Sequence, residues 1–194
     1  MISDEKQSLR KRMRDYLRSE SAGPSAAGSR DARRVLAGSE QWATARVVVG
    51  FCALPDELDL LDPWPEGKEI VLPRVEGERL VLCRVGSPED LRVGAFGIRE
   101  PETGCPFWMG ETDRSVGSVG SHGILILVPG LAFGRDGSRL GRGKGYYDRL
   151  LASLRGFRLG VCRDGQVLDI VPNEAHDARV DALLTPSGLF PCGR

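Results

Sequence analysis

The stretch GILILVPGLAFGRDGSRLGRGKGYYDRLLASLRGFRLGVC, residues 123–162, decides the architecture. It opens on a continuous apolar run that ends at Val128 and a Pro-Gly turn. It then crosses a glycine-rich tract and enters a helical pattern near Tyr146 that carries Leu150, Leu151 and Leu154. It closes on a second apolar run, FRLGVC (157–162). Strand, helix and strand in that order, with strands apolar on both faces, form the unit of a parallel sheet covered on both sides. Working outward, short apolar runs recur in ARVVVGFCAL (45–54), EIVLP (69–73), RLVLCRV (79–85) and VDALLT (180–185). DELDLLDPW (56–64) predicts a helical turn or two, and SAGPSAAGS (21–29) predicts a loop ahead of a helix over 30–41.

Residues 4–19 predict another helix. Leu9, Met13, Tyr16 and Leu17 recur at spacings of three and four, while Lys6, Arg10, Arg14 and Arg18 form a basic strip. The tract from Gly104 to Gly123 has no clear period, and a loop of that length in a compact domain is functional or mobile. With 194 residues and 41% hydrophobic content, the chain can bury the core of one domain, 1–194. Twenty-seven basic residues balance 27 acidic ones, which argues against a protein living by bulk attraction to nucleic acid or anionic lipid. The five cysteines (Cys52, Cys83, Cys105, Cys162, Cys192) are odd in number and contain no CxxC pair, so neither a disulfide framework nor a zinc site fits. The run from Val47 to Leu54 is too short to span a bilayer, and Asp4 and Glu5 do not suit a transit peptide. A cytoplasmic protein with reduced thiols and no membrane partner is the expectation.

The chemistry concentrates in Gly141-Arg142-Gly143-Lys144-Gly145. Alternate glycines let backbone N–H groups approach a ligand, Arg142 and Lys144 add positive charge, and the following helix presents its positive end. Together they describe an anion cradle suited to phosphates, and Asp148 in the first helical turn could hold a metal bound to those phosphates. The tract is neither a Walker A loop, because Ser138 and Gly145 break it, nor GxGxxG, because Tyr146 falls where the last glycine belongs. On spacing alone, a phosphate site and an ordinary glycine-rich turn both stand. Spacing alone also reads Lys6 and Arg10 as a solvated helix face, Glu57 as a local cap, and His176 and Asp177 as a loop that orders itself. Asp181 opens an apolar strand, where a carboxylate needs a partner.

VPGLAFGRDGSRLGRGKGYYDR (128–149) resembles the signature of the 5-formyltetrahydrofolate cyclo-ligase family. KQSLR (6–10), FCALPDELD (51–59), FGIREP (96–101) and VPNEAHDARVDALLTP (171–186) support the resemblance, in the family's order. It implies a Rossmann-like layered α/β sheet, mainly parallel, of the sugar-phosphate isomerase/CoA-transferase type. It also implies cyclisation of 5-formyltetrahydrofolate to 5,10-methenyltetrahydrofolate with ATP and Mg²⁺, releasing ADP and phosphate. By resemblance, ATP falls to Lys6, Arg10 and the tract Arg139, Leu140, Gly141, Arg142, Gly143, Lys144, Gly145, Tyr146 and Tyr147. Folate falls to Cys52, Glu57 and Phe96, with the shared tract Arg142, Gly143, Lys144, Gly145 and Tyr146. Lys144 and Arg142 are the catalytic cations, and Asp148 and Asp181 the magnesium carboxylates. The resemblance implies small-molecule partners only, no nucleic acid, and a monomer. Gly134, Ile124 and the long 104–123 tract depart from the family pattern. Two rivals are a binding paralogue that takes RNA through the arginine-rich helix, and a sugar-phosphate isomerase that needs no ATP.

Overall fold

The computed structural model describes residues 2–20, 25–94, 97–110 and 123–193. Phe96 and most of the 104–123 tract lie outside the described residues. The chain opens with α1 (Ile2–Glu20), α2 (Ser25–Ala37) and α3 (Glu40–Thr44). Twelve strands follow: β1 (Val47–Val49), β2 (Glu69–Glu76), β3 (Arg79–Val85), β4 (Leu91–Val93), β5 (Arg99–Pro101), β6 (Ile124–Pro129), β7 (Ala132–Gly134), β8 (Arg139–Leu140), β9 (Phe157–Val161), β10 (Val167–Leu168), β11 (Ala182–Thr185) and β12 (Gly188–Pro191), with α4 (Tyr146–Ser153) between β8 and β9. The predicted second helix is two, because Ser39 caps a new start by accepting the Trp42 N–H at 3.2 Å. No helix forms over 56–64: Pro63 and Pro65 disfavour helical backbone before them, and Leu58, Leu60 and Leu61 reach the core from turns instead.

Seven strands make one sheet in the order β12-β11-β9-β6-β1-β2-β3. The five central strands are parallel, and β12 and β3 close the two edges antiparallel. Side chains alternate strictly across it. Val48, Ile70, Leu72, Leu125, Leu127 and Leu159 face Ala32 and Leu36 of α2. Val47, Val49, Val71, Ile126 and Val128 face Leu151 of α4 and Leu154 just past its end, with Trp108. This arrangement accounts for runs that read as apolar on both faces.

Two features position the site. The winding reverses between β1 and β6: the chain leaves β1 for β2 on one side, then returns to lay down β6, β9 and β11 on the other. In open α/β sheets such a reversal leaves a crevice beyond the carboxyl ends of the two strands. The glycine-rich tract also holds regular structure, β7 and β8, which form a three-stranded sheet β10-β7-β8 with the later β10. Leu9, Met13 and Leu17 of α1 pack on its Leu131, Ala132 and Leu140, which lays α1 beside the crevice. At the sheet edges, Pro191 ends β12, and residues 106–108 run along β3, with the Arg84 N–H donating to Pro106 and the Trp108 N–H to Leu82.

Candidate active site

A cavity of about 570 Å³ occupies that crevice. Cys52 and Glu57 line it from the segment after β1, Pro129 and Gly130 from the end of β6, and Lys6 and Arg10 from α1. The whole tract from Arg139 to Asp148 forms another wall. Residues drawn from stretches far apart in sequence thus meet in one place.

The cradle has the backbone that its glycines allow. Gly143 and Gly145 have φ of +102° and +67°, where a side chain is strained. Gly145 caps the start of α4 without a side-chain bond, so the first-turn N–H groups remain for a ligand or water. The basic strip of α1, which spacing alone reads as a solvated face, reaches in: the Arg10 Nε donates to the Gly141 carbonyl at 3.1 Å, and an Arg14 Nη donates to the Arg142 carbonyl at 3.3 Å.

The cations in the cavity differ in how they are held. Arg139 is buried, donates to Asp148 Oδ1 at 2.7 Å and stacks over Tyr147, so it anchors the helix start. Arg142 donates to Asp56 at 2.7 Å and to Glu57 Oε1 at 3.1 Å. The glycine-rich cradle and the Glu57 segment, separate in sequence, are therefore physically joined. The exposed Lys144 ammonium makes no ion pair with any described residue. Leu140 contributes backbone only, since its side chain is buried against α1.

Burial lifts the Glu57 carboxyl above its ordinary range, with the Arg142 charge and the Leu54 N–H pulling it partway back. Its Oε2 accepts that Leu54 N–H at 3.1 Å, so the local cap is present alongside the Arg142 contact. Burial likewise pushes the Cys52 thiol up to about 11, against the opposing charge of Arg99, so it is protonated at neutral pH and is no nucleophile.

The metal pair expected from the sequence is not brought together. Asp148 lines the cavity, but Asp181 sits before β11, at the amino ends of the parallel strands, where its carboxylate accepts the Arg158 N–H at 2.9 Å. That is a strand length from the crevice, and the position at the start of an apolar strand already carried the signal, because ligands gather at carboxyl ends. Glu174 and Asp177 join Asp148 in the cavity wall, with His176 beside them, although spacing reads His176 and Asp177 as mere loop. The ligating atoms of Glu174, His176 and Asp177 lie within 4.8 Å of one another.

Lys6 is held here, donating to Glu174 at 2.7 Å and Asp177 at 2.6 Å. Burial works to deprotonate Lys6, but the two carboxylates outweigh it and its pKa stays above 10.5. Burial also works to protonate Asp177, and the Lys6 and Glu174 N–H bonds outweigh it, holding the carboxyl below 3.8. A carboxyl lowered by folding stabilises the fold above its unfolded value, and that contribution disappears as pH falls through the folded value. Thermal melts should therefore lose stability below about pH 4, and Lys6→Met should flatten that acid limb. An acid limb identical in the two proteins would show that the pair does not contribute.

Comparison with known proteins fits this geometry. Residues 2–186 match the model of the 5-formyltetrahydrofolate cyclo-ligase family. The 5-formyltetrahydrofolate cyclo-ligase of Mus musculus is 26% identical over 199 residues, covering 94% of each chain. That of Mycolicibacterium smegmatis is 36% identical over 145 residues, covering 68% of each. The solution structure of Aquifex aeolicus 5,10-methenyltetrahydrofolate synthetase is similar over 97% of this chain and 94% of its own, with a TM-score of 0.74 and 35% identity. A synthetase from Mycoplasma pneumoniae, 17% identical, shares the fold with a TM-score of 0.65. The mixed α/β fold with its large, mostly parallel sheet is thus that of known synthetases, and the family match over residues 2–186 runs through every segment that lines the crevice. The chain belongs to the 5-formyltetrahydrofolate cyclo-ligase family.

Proposed function

We propose that the protein closes the ring of 5-formyltetrahydrofolate to 5,10-methenyltetrahydrofolate, using ATP with Mg²⁺ and releasing ADP and phosphate. The observation that carries this reading is one cavity in which a glycine-and-cation cradle adjoins a buried carboxylate, Glu57, through Arg142. A formamide oxygen is a poor leaving group. Phosphoryl transfer from ATP forms a bond to that oxygen and breaks the bond to ADP, leaving an iminium phosphate. The folate N10 then attacks the formyl carbon, the C–O bond breaks, phosphate leaves with the electron pair, and N10 gives up its proton. Nucleophile and electrophile belong to one molecule, so the protein orients them and neutralises charge.

Lys144, Arg142 and Arg10 are suited to the transferring phosphoryl oxygens, and Gly143 and Gly145 to close backbone approach. Glu174, His176 and Asp177 bring their ligating atoms within 4.8 Å of one another and Asp148 lines the same cavity, so this wall suits a divalent cation in place of the Asp148–Asp181 pair. Mg²⁺ bound there would supply further charge neutralisation on the phosphates. The same family reading carries the sugar-phosphate isomerase/CoA-transferase type of fold, a single domain over 1–194, a cytoplasmic monomer, and Cys52 and Phe96 at the folate. Balanced charge and the intact GRGKGYYD tract (141–148) favour it over an RNA-binding paralogue. Incubation with 5-formyltetrahydrofolate should raise methenyl absorbance only when MgATP is present. Absorbance without nucleotide, or none at all, would remove the ligase reading.

Glu57→Gln should raise the KM for folate about ten- to a hundredfold, the worth of charge-assisted hydrogen bonds. The KM for ATP should move less, because Asp56 still holds Arg142. The carboxylate form is the acceptor and its pKa is raised, so kcat/KM for folate should fall on the acid side at a pH above 4.5. That limb should vanish in Glu57→Gln. A wild-type KM with a lowered melting temperature would leave Glu57 as a turn cap only.

A further inference from the structure

Glu100, on β5, has no part in the reaction as described so far. Its side chain lines the same cavity, and the residue is only 8% exposed. Every other acidic group of that wall has a cation: Glu57 has Arg142, Asp148 has Arg139, and Glu174 and Asp177 have Lys6. Of the acidic groups lining this cavity, Glu100 alone makes no ion pair with a described residue, and its one polar contact is the Val75 N–H, donated to Oε2 at 3.0 Å. The carboxyl group is also fixed from behind. A Cβ added at Gly94 would lie 2.8 Å from its Cδ, so the backbone there is pressed against it.

A carboxylate offers about four acceptor positions, and leaving them unfilled in a buried place is costly. Glu100 is therefore a built acceptor that opens on a ligand cavity. Phosphate is the wrong guest for it, since two anions repel and none of the cradle cations lies within ion-pair distance of it. The remaining guest is an N–H donor. On the folate reading, on which this inference rests, the formyl oxygen and N10 must lie against the cradle. The far edge of the pterin then carries two adjacent, parallel donors, N3–H and the 2-amino group, which match the two oxygens of one carboxylate. We propose that Glu100 is a specificity-determining residue of the folate site, its carboxylate accepting hydrogen bonds from N3–H and the 2-amino group of the pterin.

The test is a binding titration without nucleotide, using 5-formyltetrahydrofolate and its 2-desamino analogue against wild type and Glu100→Gln. The amide keeps an acceptor for Val75 but turns a donor toward the pterin donors. Wild type should prefer the parent folate, and Glu100→Gln should weaken parent binding about ten- to a hundredfold while barely changing the analogue. Gly94→Ala provides a second route, because it displaces the carboxylate without altering its chemistry, and it should erase the same preference even if the glutamine variant folds poorly. Equal losses for both ligands, or unchanged parent affinity in a folded variant, would overturn the assignment. Wild type that binds neither ligand would instead remove the folate reading itself, and this proposal with it.

Discussion

Lys144→Ala should lower kcat by about a hundredfold or more, roughly 2.7 kcal/mol of barrier, while the melting temperature stays within a degree or two of wild type. The structure makes this variant a clean probe. Arg142 is tied to two carboxylates and Arg139 is buried against Asp148, so removing either disturbs the fold around the cradle. Lys144 is exposed, lines the same cavity and makes no ion pair with any described residue. Its removal costs a charge that only a ligand would use. The loss should appear in kcat and kcat/KM alike, as for an interaction made chiefly in the transition state. Near wild-type kcat would place the phosphoryl group elsewhere.

Asp148→Asn should have two separable effects. Arg139 loses the carboxylate that compensates its buried guanidinium, and breaking such a pair costs roughly 3 kcal/mol, or about 6–12 °C of melting temperature for a chain of this size. If Asp148 also holds Mg²⁺, the concentration needed for half-maximal rate should rise. Asp181→Asn is the control, because its carboxylate is engaged with the Arg158 backbone away from the cavity, and it should leave the magnesium requirement unchanged. A shifted melting point with an unshifted requirement would confine Asp148 to anchoring Arg139. The reverse pattern would show the ion pair to be worth little.

Much of this site was legible in the sequence, and the failures have physical causes. The sheet could be read because continuous apolar runs report strands buried on both faces, and because α1 keeps its Leu9, Met13 and Leu17 stripe apart from its basic strip. The helix expected over 56–64 failed because local periodicity does not weigh prolines against the demand for Leu58, Leu60 and Leu61 in the core. The β10-β7-β8 sheet stayed hidden because its strands are only two or three residues long, too short to show a period. Lys6 and Arg10 needed the fold to gain partners, since their spacing describes a solvated face equally well. Glu174 and Asp177 were overlooked for a related reason: nothing in a loop sequence says which end of a sheet it crosses. Glu100 is more instructive. Nothing in FGIREP singles it out, and only burial without a cation distinguishes it.

The edges of the large sheet bear on how the protein behaves at high concentration. An unpaired edge strand is a template onto which another chain can add, and so a route to aggregation. On β12 the Cys192 N–H donates inward to Asp181, and alternation along an antiparallel strand turns position 191 outward. Proline there removes the donor a visiting strand would need. At the opposite edge the outer groups of Leu82 and Arg84 are already taken by residues 106–108. The sheet is thus self-limiting at seven strands, closed on one side by a missing hydrogen and on the other by the chain's own backbone.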